Sequence, residues 1–208
     1  INQLKSLVKN KFPEVIYIFD PELGVSRARN IGIRRAKSNW IALLDSDDEW
    51  VIGKIEFFLH TVNMDKENYR IWHSDEIWLR NGKFLNQKLH HKKLGGNIFD
   101  KCVKSCRVSP SSSIIHKSIF SQYGLFDEKF FVCEDFDFWL RVAVWESFGF
   151  LDKKLVIKHG GHRDQLSKQF WGLDRYRIRS LINLMSHNDL ESSYSYSKGG
   201  SRISTQSN

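Results

Sequence analysis

The sequence predicts an α/β domain in which a mostly parallel central sheet is flanked by helices. Short apolar runs alternate with longer segments whose apolar residues recur at helical spacing, and this alternation is typical of parallel strands joined by crossover helices. The chain has 208 residues, of which 41% are hydrophobic, so it is long enough to bury the core of one domain. We expect that domain over residues 1–185.

The predicted elements follow one another in a regular order. An amphipathic helix over residues 1–10 ends before Pro13, and an apolar strand over 15–19 ends at Asp20-Pro21. A basic helix over 24–37 leads to a second apolar strand over 40–44. The remaining predicted helices are 52–64, 98–103, 117–123, 136–145 and 171–185, and the remaining strands are 71–74, 77–79, 111–115 and 151–159. Residues 186–208 are polar and lack any period, which predicts a disordered tail.

Charge and cysteine content narrow the class of protein. The 32 Lys and Arg exceed the 24 Asp and Glu, giving a net charge of +8, which suits phosphate-bearing ligands but is also compatible with a solvated basic surface. No motif of a known nucleic-acid reader is present, so we expect no nucleic-acid partner. Three cysteines and no long apolar run predict reduced, buried thiols in a cytoplasmic protein, with peripheral contact to the inner face of the membrane as an alternative.

An acidic cluster, Asp45-Ser46-Asp47-Asp48, directly follows the apolar strand at 40–44. Ligands of parallel sheets bind beyond the carboxyl ends of the strands, where this cluster is expected. Three carboxylates so close together repel one another unless a cation neutralises them, and oxygen ligands suit Mg²⁺ or Mn²⁺. The alternative is that Asp47 or Asp48 caps the helix that follows Trp50.

Three further segments carry groups suited to chemistry. The stretch from Gly24 to Asn30 places Ser26, Arg27 and Arg29 at a helix start, which suits an anion but is equally typical of a capped helix with a basic face. The stretch from Cys133 to Asp137 places three acids at another helix start. One of them could act as a general base, or all three could simply complement the helix dipole.

The third segment is His159-Gly160-Gly161-His162, which follows the strand at 151–159. Two glycines allow a ligand to approach the backbone closely, and either histidine can bind a metal or a phosphate. We take His162 as the candidate for an additional metal or diphosphate ligand. A surface loop without a ligand is the alternative.

These motifs in series resemble glycosyltransferase family 2, whose members have the GT-A fold. The resemblance rests on residues 24–32 (GVSRARNIG), 40–48 (WIALLDSDD) and 134–141 (EDFDFWLR), and it covers roughly residues 10 to 180. It implies a Rossmann-like three-layer sandwich and inverting transfer of a sugar from a nucleotide-diphosphate donor, most simply a UDP-sugar, to a glycan or lipid-linked acceptor of the cell envelope.

The same resemblance implies roles for individual residues. Asp45 and Asp47 match the DxD motif: Asp47 would hold Mn²⁺ or Mg²⁺ on the diphosphate, and Asp45 would face the nucleotide or the ion. Asp48 is the flanking acid. The catalytic base would be Asp135, with Glu134 beside it. The nucleotide-binding set is Asp45, Arg27, Arg29, Asn30 and Gly24.

Two departures from the family pattern stand out. Family members usually begin with a strand and an acidic turn that hold the nucleotide base, whereas this sequence starts within the expected first helix, so we expect a sheet incomplete at its N-terminus. The Gln-x-x-Arg-Trp motif of processive members is not matched by Gln169-Phe170-Trp171, which favours addition of a single sugar. A metal-dependent phosphohydrolase and a non-catalytic binding fragment remain as alternatives.

Overall fold

The computed structural model describes residues 2–87, 91–161 and 171–186, which contain seven helices and six strands. The helices are α1 (Asn2–Lys11), α2 (Val25–Arg35), α3 (Lys54–Met64), α4 (Phe99–Lys104), α5 (Lys117–Tyr123), α6 (Glu134–Ala143) and α7 (Leu173–Ser186). The strands are β1 (Trp40–Ala42), β2 (Asp48–Trp50), β3 (Ile71–Arg80), β4 (Lys83–Phe84), β5 (Ser113–His116) and β6 (Gly149–Gly160). A short 3-10 helix (Pro110–Ser112) precedes β5.

The six strands form one sheet in the order β1-β5-β3-β6-β2, with β4 beside β3. Strand β3 is parallel to β6, and the other pairings in the described ranges are antiparallel. The expectation of a mostly parallel sheet is therefore wrong for this part of the chain. It followed from the alternation of strands and helices, but strand order and direction are set by long-range pairing, for which the sequence holds no local signal.

Side chains of opposite orientation on the strands belong to two separate apolar clusters. Ile41, Ile71 and Ile115 pack with helices α2, α4, α5 and α6, whereas their neighbours in sequence, Trp72 and Ile114, pack with Phe58 of α3. Because successive side chains of a strand point to opposite faces, the two clusters lie on the two sides of the sheet. The predicted α/β class with three layers is confirmed.

Helix positions agree well with the sequence prediction, and strand positions less well. Helix α5 has the predicted bounds and ends at Gly124, whose φ of 81° suits a residue without a Cβ. The predicted strand at 15–19 is wrong: these residues pair with no described strand, and Ile16 is 70% exposed. An apolar run becomes a strand only where a neighbouring strand accepts its backbone hydrogen bonds.

The cysteine thiols are free, as expected, but they differ in exposure. Cys102 is buried in the core, Cys133 is half-buried and Cys106 is exposed, so the expectation of buried thiols is wrong for Cys106. Among residues 2–87, 91–161 and 171–186, no helix has the length and apolar character needed to cross a membrane. The predicted tail lies outside the described residues except for Ser186, which ends α7.

Candidate functional site

The acidic loop, residues 45–48, is a tight turn between β1 and β2. The backbone N–H of Asp48 donates to the carbonyl of Asp45 at 3.1 Å and closes the turn. The side chain of Asp47 is exposed, that of Asp45 is half-buried and Asp48 is 8% exposed. Helix α3 begins only at Lys54, with Gly53 at its N-cap position. Capping by Asp47 or Asp48 is therefore excluded.

Arg29 of α2 joins this loop to the acidic start of α6. One guanidinium nitrogen lies 2.6 Å from Asp45 Oδ1, and another lies 2.6 Å from Glu134 Oε1. Burial opposes the charge of Arg29, yet the two carboxylates raise its pKa. The side chain is only 10% exposed. Arg29 therefore acts here as an ionic link between two acidic segments that are far apart in sequence.

The two acids at the start of α6 have different surroundings. Glu134 is buried against Arg29, and burial raises the pKa of its carboxyl group, followed by the nearby charge of Asp135, while Arg29 opposes this rise. Asp135 is half-buried and accepts a hydrogen bond from the Cys106 thiol at 3.3 Å. Cys133, just before them, has a φ of 60°, a left-handed conformation that residues with a Cβ seldom adopt. Asp135 is therefore the more exposed of the two acids, and its other oxygen accepts the backbone N–H of Phe136 at 2.7 Å.

Asp48 lies on the other side of the loop and faces a lysine of β6. Its Oδ2 is 3.3 Å from Lys158 Nζ. Burial raises the pKa of Asp48, whereas Lys158 acts in the opposite direction. Burial also disfavours the charge on Lys158, but Glu76, Asp48 and Asp45 together raise its pKa. Lys158 therefore remains a cation among these acids.

A cavity of about 470 Å³ opens beside the acidic loop at the carboxyl ends of the parallel pair β3 and β6. This is where ligands of α/β sheets usually bind. Its lining combines carboxylates, cations and one indole: Asp45, Asp47, Asp48, Trp78, Leu79, Arg80, Leu85, Lys158, His159, Gly160 and Gly161. The cavity therefore has groups for a metal-bound anion next to an apolar wall.

The other predicted site residues contact the protein itself. Asn30 is buried and exchanges hydrogen bonds with both backbone groups of Phe126. Arg27 pairs with Asp20 at 2.7 Å on the outer side of α2. Gly24 precedes α2 with a φ of 145°. Nucleotide contact by Arg27, Arg29, Asn30 and Gly24 stays a prediction, and His162 lies outside the described residues.

Several residues of the site were missed by the sequence analysis. Ser111 accepts the backbone N–H of Asp45 through its Oγ at 3.1 Å, and Lys54 donates to the carbonyl of Ser111 at 2.6 Å. Lys158 could have been noticed as a charge next to His159 in an apolar strand. Ser111 and Cys106 carry no such signal, because nothing local distinguishes them from other polar residues.

The donor groups fit a divalent ion that is shared with a substrate. Within the described ranges, no three His, Cys, Asp or Glu side chains form a group that could hold a metal. Mg²⁺ is commonly bound by one or two carboxylates together with substrate phosphates. Asp47 and Asp45 supply such carboxylates at the cavity, while Asp48 faces Lys158. The site therefore suits an ion that arrives with a phosphate ligand.

Comparison with known proteins identifies relatives. The family model described as "Glycosyl transferase family 2" matches residues 2–123. Two uncharacterized glycosyltransferases, from Rickettsia felis and Rickettsia conorii, are each 30% identical over 190 residues, covering 90% of this chain and 30% of each relative. The chain thus spans less than a third of the length of these two relatives. A UDP-Glc:α-D-GlcNAc-diphosphoundecaprenol β-1,3-glucosyltransferase of Escherichia coli is 24% identical over 57% of this chain and 44% of that protein.

Solved structures share the fold. A fragment of S. aureus TarS in complex with UDP-GlcNAc superposes with a TM-score of 0.70 at 16% identity, covering 93% of this chain and 56% of that fragment. The same fragment in complex with UDP gives a TM-score of 0.57 at 14% identity, over 97% and 62% of the two chains. The predicted GT-A-like fold is confirmed by these likenesses.

Proposed function

This chain belongs to glycosyl transferase family 2, and from this premise we propose that it transfers a single sugar, with inversion, from a nucleotide-diphosphate donor to an acceptor hydroxyl. The donor class is supported by the TarS structures, which hold UDP-GlcNAc and UDP. The E. coli relative is named for a UDP-Glc donor and a lipid-diphosphate-linked sugar acceptor. We therefore propose a UDP-sugar donor and a glycan or lipid-linked acceptor.

The observation that carries the proposal is the double ion pair of Arg29. It fixes Asp45 of the acidic loop and Glu134 of α6 to the same guanidinium at 2.6 Å each. This ion pair links the loop that carries the proposed metal-binding carboxylates to the start of the helix that carries the proposed base, Asp135. Inverting transfer needs these two functions within reach of one anomeric carbon.

The proposed reaction assigns a separate role to each of these residues. Asp47 and Asp45 hold a divalent ion, Mn²⁺ or Mg²⁺, which when bound neutralises the charge on the departing diphosphate. Lys158 adds a positive charge on the same side of the cavity. Asp135 removes the proton from the acceptor hydroxyl, because Glu134 is engaged with Arg29 and buried.

The test is UDP release by the intact protein with Mn²⁺, a panel of UDP-sugars and candidate acceptors. We expect Asp47→Ala and Asp135→Asn each to lower turnover by about 100-fold or more, the size typical of losing a general base or a transition-state charge contact. The matched control is Asp152→Asn, an exposed acid on β6, which should retain full turnover. Unchanged turnover in both site variants would falsify the proposal.

The acceptor dependence separates the alternatives. Transfer requires that UDP release increase when the right acceptor is added. Release at the same rate without any acceptor would instead favour a phosphohydrolase or sugar hydrolase, and binding of UDP without turnover would favour a binding module. Cytoplasmic location and peripheral membrane contact stay predictions.

A further inference from the structure

Lys54, the first residue of α3, is a buried lysine that the proposed reaction does not use. Its side chain is 1% exposed, and its Nζ lies 4.8 Å from the ring centroid of Trp50. Burial lowers the pKa of this ammonium group to about 7, even though the carboxylates of Glu76 and Asp48 favour its charge. Burial of a lysine costs free energy, and the contacts of its ammonium group, described below, offset part of that cost.

The contact that Lys54 makes leads directly to the acidic loop. Its Nζ donates to the carbonyl oxygen of Ser111 at 2.6 Å, and Trp50 Nε1 donates to the same oxygen at 3.0 Å. The hydroxyl of Ser111 in turn accepts the backbone N–H of Asp45 at 3.1 Å. Ser111 is fully buried. Lys54 and Asp45 are therefore connected through one serine.

We propose that Lys54 is a positioning residue: through Ser111 it fixes the backbone of the acidic loop, so that Asp45 and Asp47 meet the divalent ion and the diphosphate in one geometry. The inference rests on the proposed function. The Ser111 carbonyl accepts hydrogen bonds from both Lys54 and Trp50, so it is held more firmly than by one donor alone. The loop needs such support because like charges in a tight turn repel one another.

The test compares four variants with the wild-type intact protein. Lys54→Met keeps the length of the side chain but removes its donors and charge. Ser111→Ala removes the hydroxyl that accepts the Asp45 N–H and that also hydrogen-bonds the Asp48 carboxylate. The third variant combines the two. The control is Lys153→Met, which removes an exposed lysine that also lies over a ring, 4.0 Å from the centroid of Phe57.

The measurement is the affinity for Mn²⁺ in the presence of UDP by titration calorimetry, with UDP alone as the reference. We expect K54M and S111A each to weaken Mn²⁺ binding by about 10-fold, the lower end of what supporting residues of a metal site contribute. The double variant should be little weaker than the single ones, because both substitutions break the same connection. The affinity for UDP without Mn²⁺ should be unchanged, and K153M should equal the wild type.

A purely structural lysine gives a different pattern. Replacing it by methionine would change the midpoint of unfolding by urea and leave the Mn²⁺ affinity of the folded protein unchanged, which overturns the inference. If the losses of Mn²⁺ affinity in the two single variants multiply in the double variant, Lys54 does not act through Ser111, and the inference is overturned. If K54M does not fold, S111A decides alone: an unchanged Mn²⁺ affinity overturns the inference. A wild type that binds no Mn²⁺ with UDP overturns the proposed function as well, so the two failures are distinguishable.

Discussion

Two buried basic side chains are connected to the acidic loop, Arg29 directly and Lys54 through Ser111, and their charges are compensated in different ways. Arg29 is held by the carboxylates of Asp45 and Glu134, whereas Lys54 is held by the carbonyl of Ser111 and the ring of Trp50. A carboxylate brings a full opposite charge, and a carbonyl brings only a dipole. The pKa of Arg29 is accordingly raised, and that of Lys54 is lowered to about 7.

The difference shows that burial alone does not determine how a charge contributes to the fold. The carboxylates beside Arg29 raise its pKa, so the guanidinium stays charged near neutral pH, and removing it should lower the free energy of unfolding. Lys54 gains or loses a proton near neutral pH, so its contribution to the free energy of unfolding should depend strongly on pH. The following predictions separate these two behaviours.

The largest effect is expected for the pH dependence of stability at Lys54. The folded pKa of about 7 lies below the ordinary value of 10.5, so the unfolded chain holds more protons between these values. The free energy of unfolding therefore rises with pH above 7, and this contribution is lost as the pH falls through 7. Between about pH 6 and about pH 10 the rise amounts to about 4 kcal/mol.

Urea unfolding of the wild type and of Lys54→Met checks this prediction. The charged groups that influence Lys54 are Glu76, Lys93 and Asp48, and they are present in both proteins. Their contributions cancel in the difference between the two curves. In K54M the rise attributable to residue 54 should be absent, and parallel curves for the two proteins would contradict the prediction.

The second prediction concerns Arg29→Met. Removing the guanidinium leaves Asp45 and Glu134 without their shared partner, and we expect a loss of about 3 kcal/mol in the free energy of unfolding, typical of a buried ion pair broken on one side. The pKa of Glu134, which burial already raises, should rise further because Arg29 opposes that rise. Urea unfolding and carboxyl NMR measure the two effects. Arg34→Met, on the same helix but 56% exposed, is the control and should change neither.

The smallest effect is expected for Arg27→Ala. Arg27 lies in the same sequence motif as Arg29, but its pairs with Asp20, Glu22 and Glu128 are exposed to water, and such pairs contribute little. The midpoint of unfolding should hardly move. The pKa of Asp20, which is lowered first by the N–H of Glu22 and then by Arg27, should return part of the way to its ordinary value. A destabilisation as large as that of Arg29→Met would contradict the difference between the buried ion pairs of Arg29 and the more exposed ion pairs of Arg27.

The fold could be predicted from sequence wherever local pattern decides. Helix α5 was predicted with its observed bounds because an apolar period ends at Gly124. Strand β3 was predicted as two pieces, 71–74 and 77–79, because Asp75 and Glu76 separate its apolar residues. In the structure the strand is continuous, since Ser74 is buried and Glu76 is compensated by Lys93 at 2.6 Å. A buried polar group is recognisable only once its partner is known.

The candidate site shows the same limit. The acidic loop was found because it follows an apolar strand, which is a local feature. The ion pair between Arg29 and Glu134 was not predicted, because the two residues lie 105 positions apart and nothing in either segment indicates the other. Ser111, similarly, stands 66 residues from Asp45, whose amide it accepts. Long-range contacts of this kind decide which motif residues face a ligand and which face the protein.

The left-handed backbone of Cys133 has a consequence for engineering this protein. A residue with a Cβ at such a position stores about 1 kcal/mol or more of strain, and glycine would release it. Glycine would also remove a side chain that packs against the cluster of Phe136, Leu140 and Leu184, and it would give the unfolded chain more freedom, so these losses oppose the release of strain. The same substitution would loosen the chain immediately before Glu134 and Asp135, the acids that the proposed reaction uses. The strained backbone at position 133 therefore links the stability of this segment to the placement of the two acids.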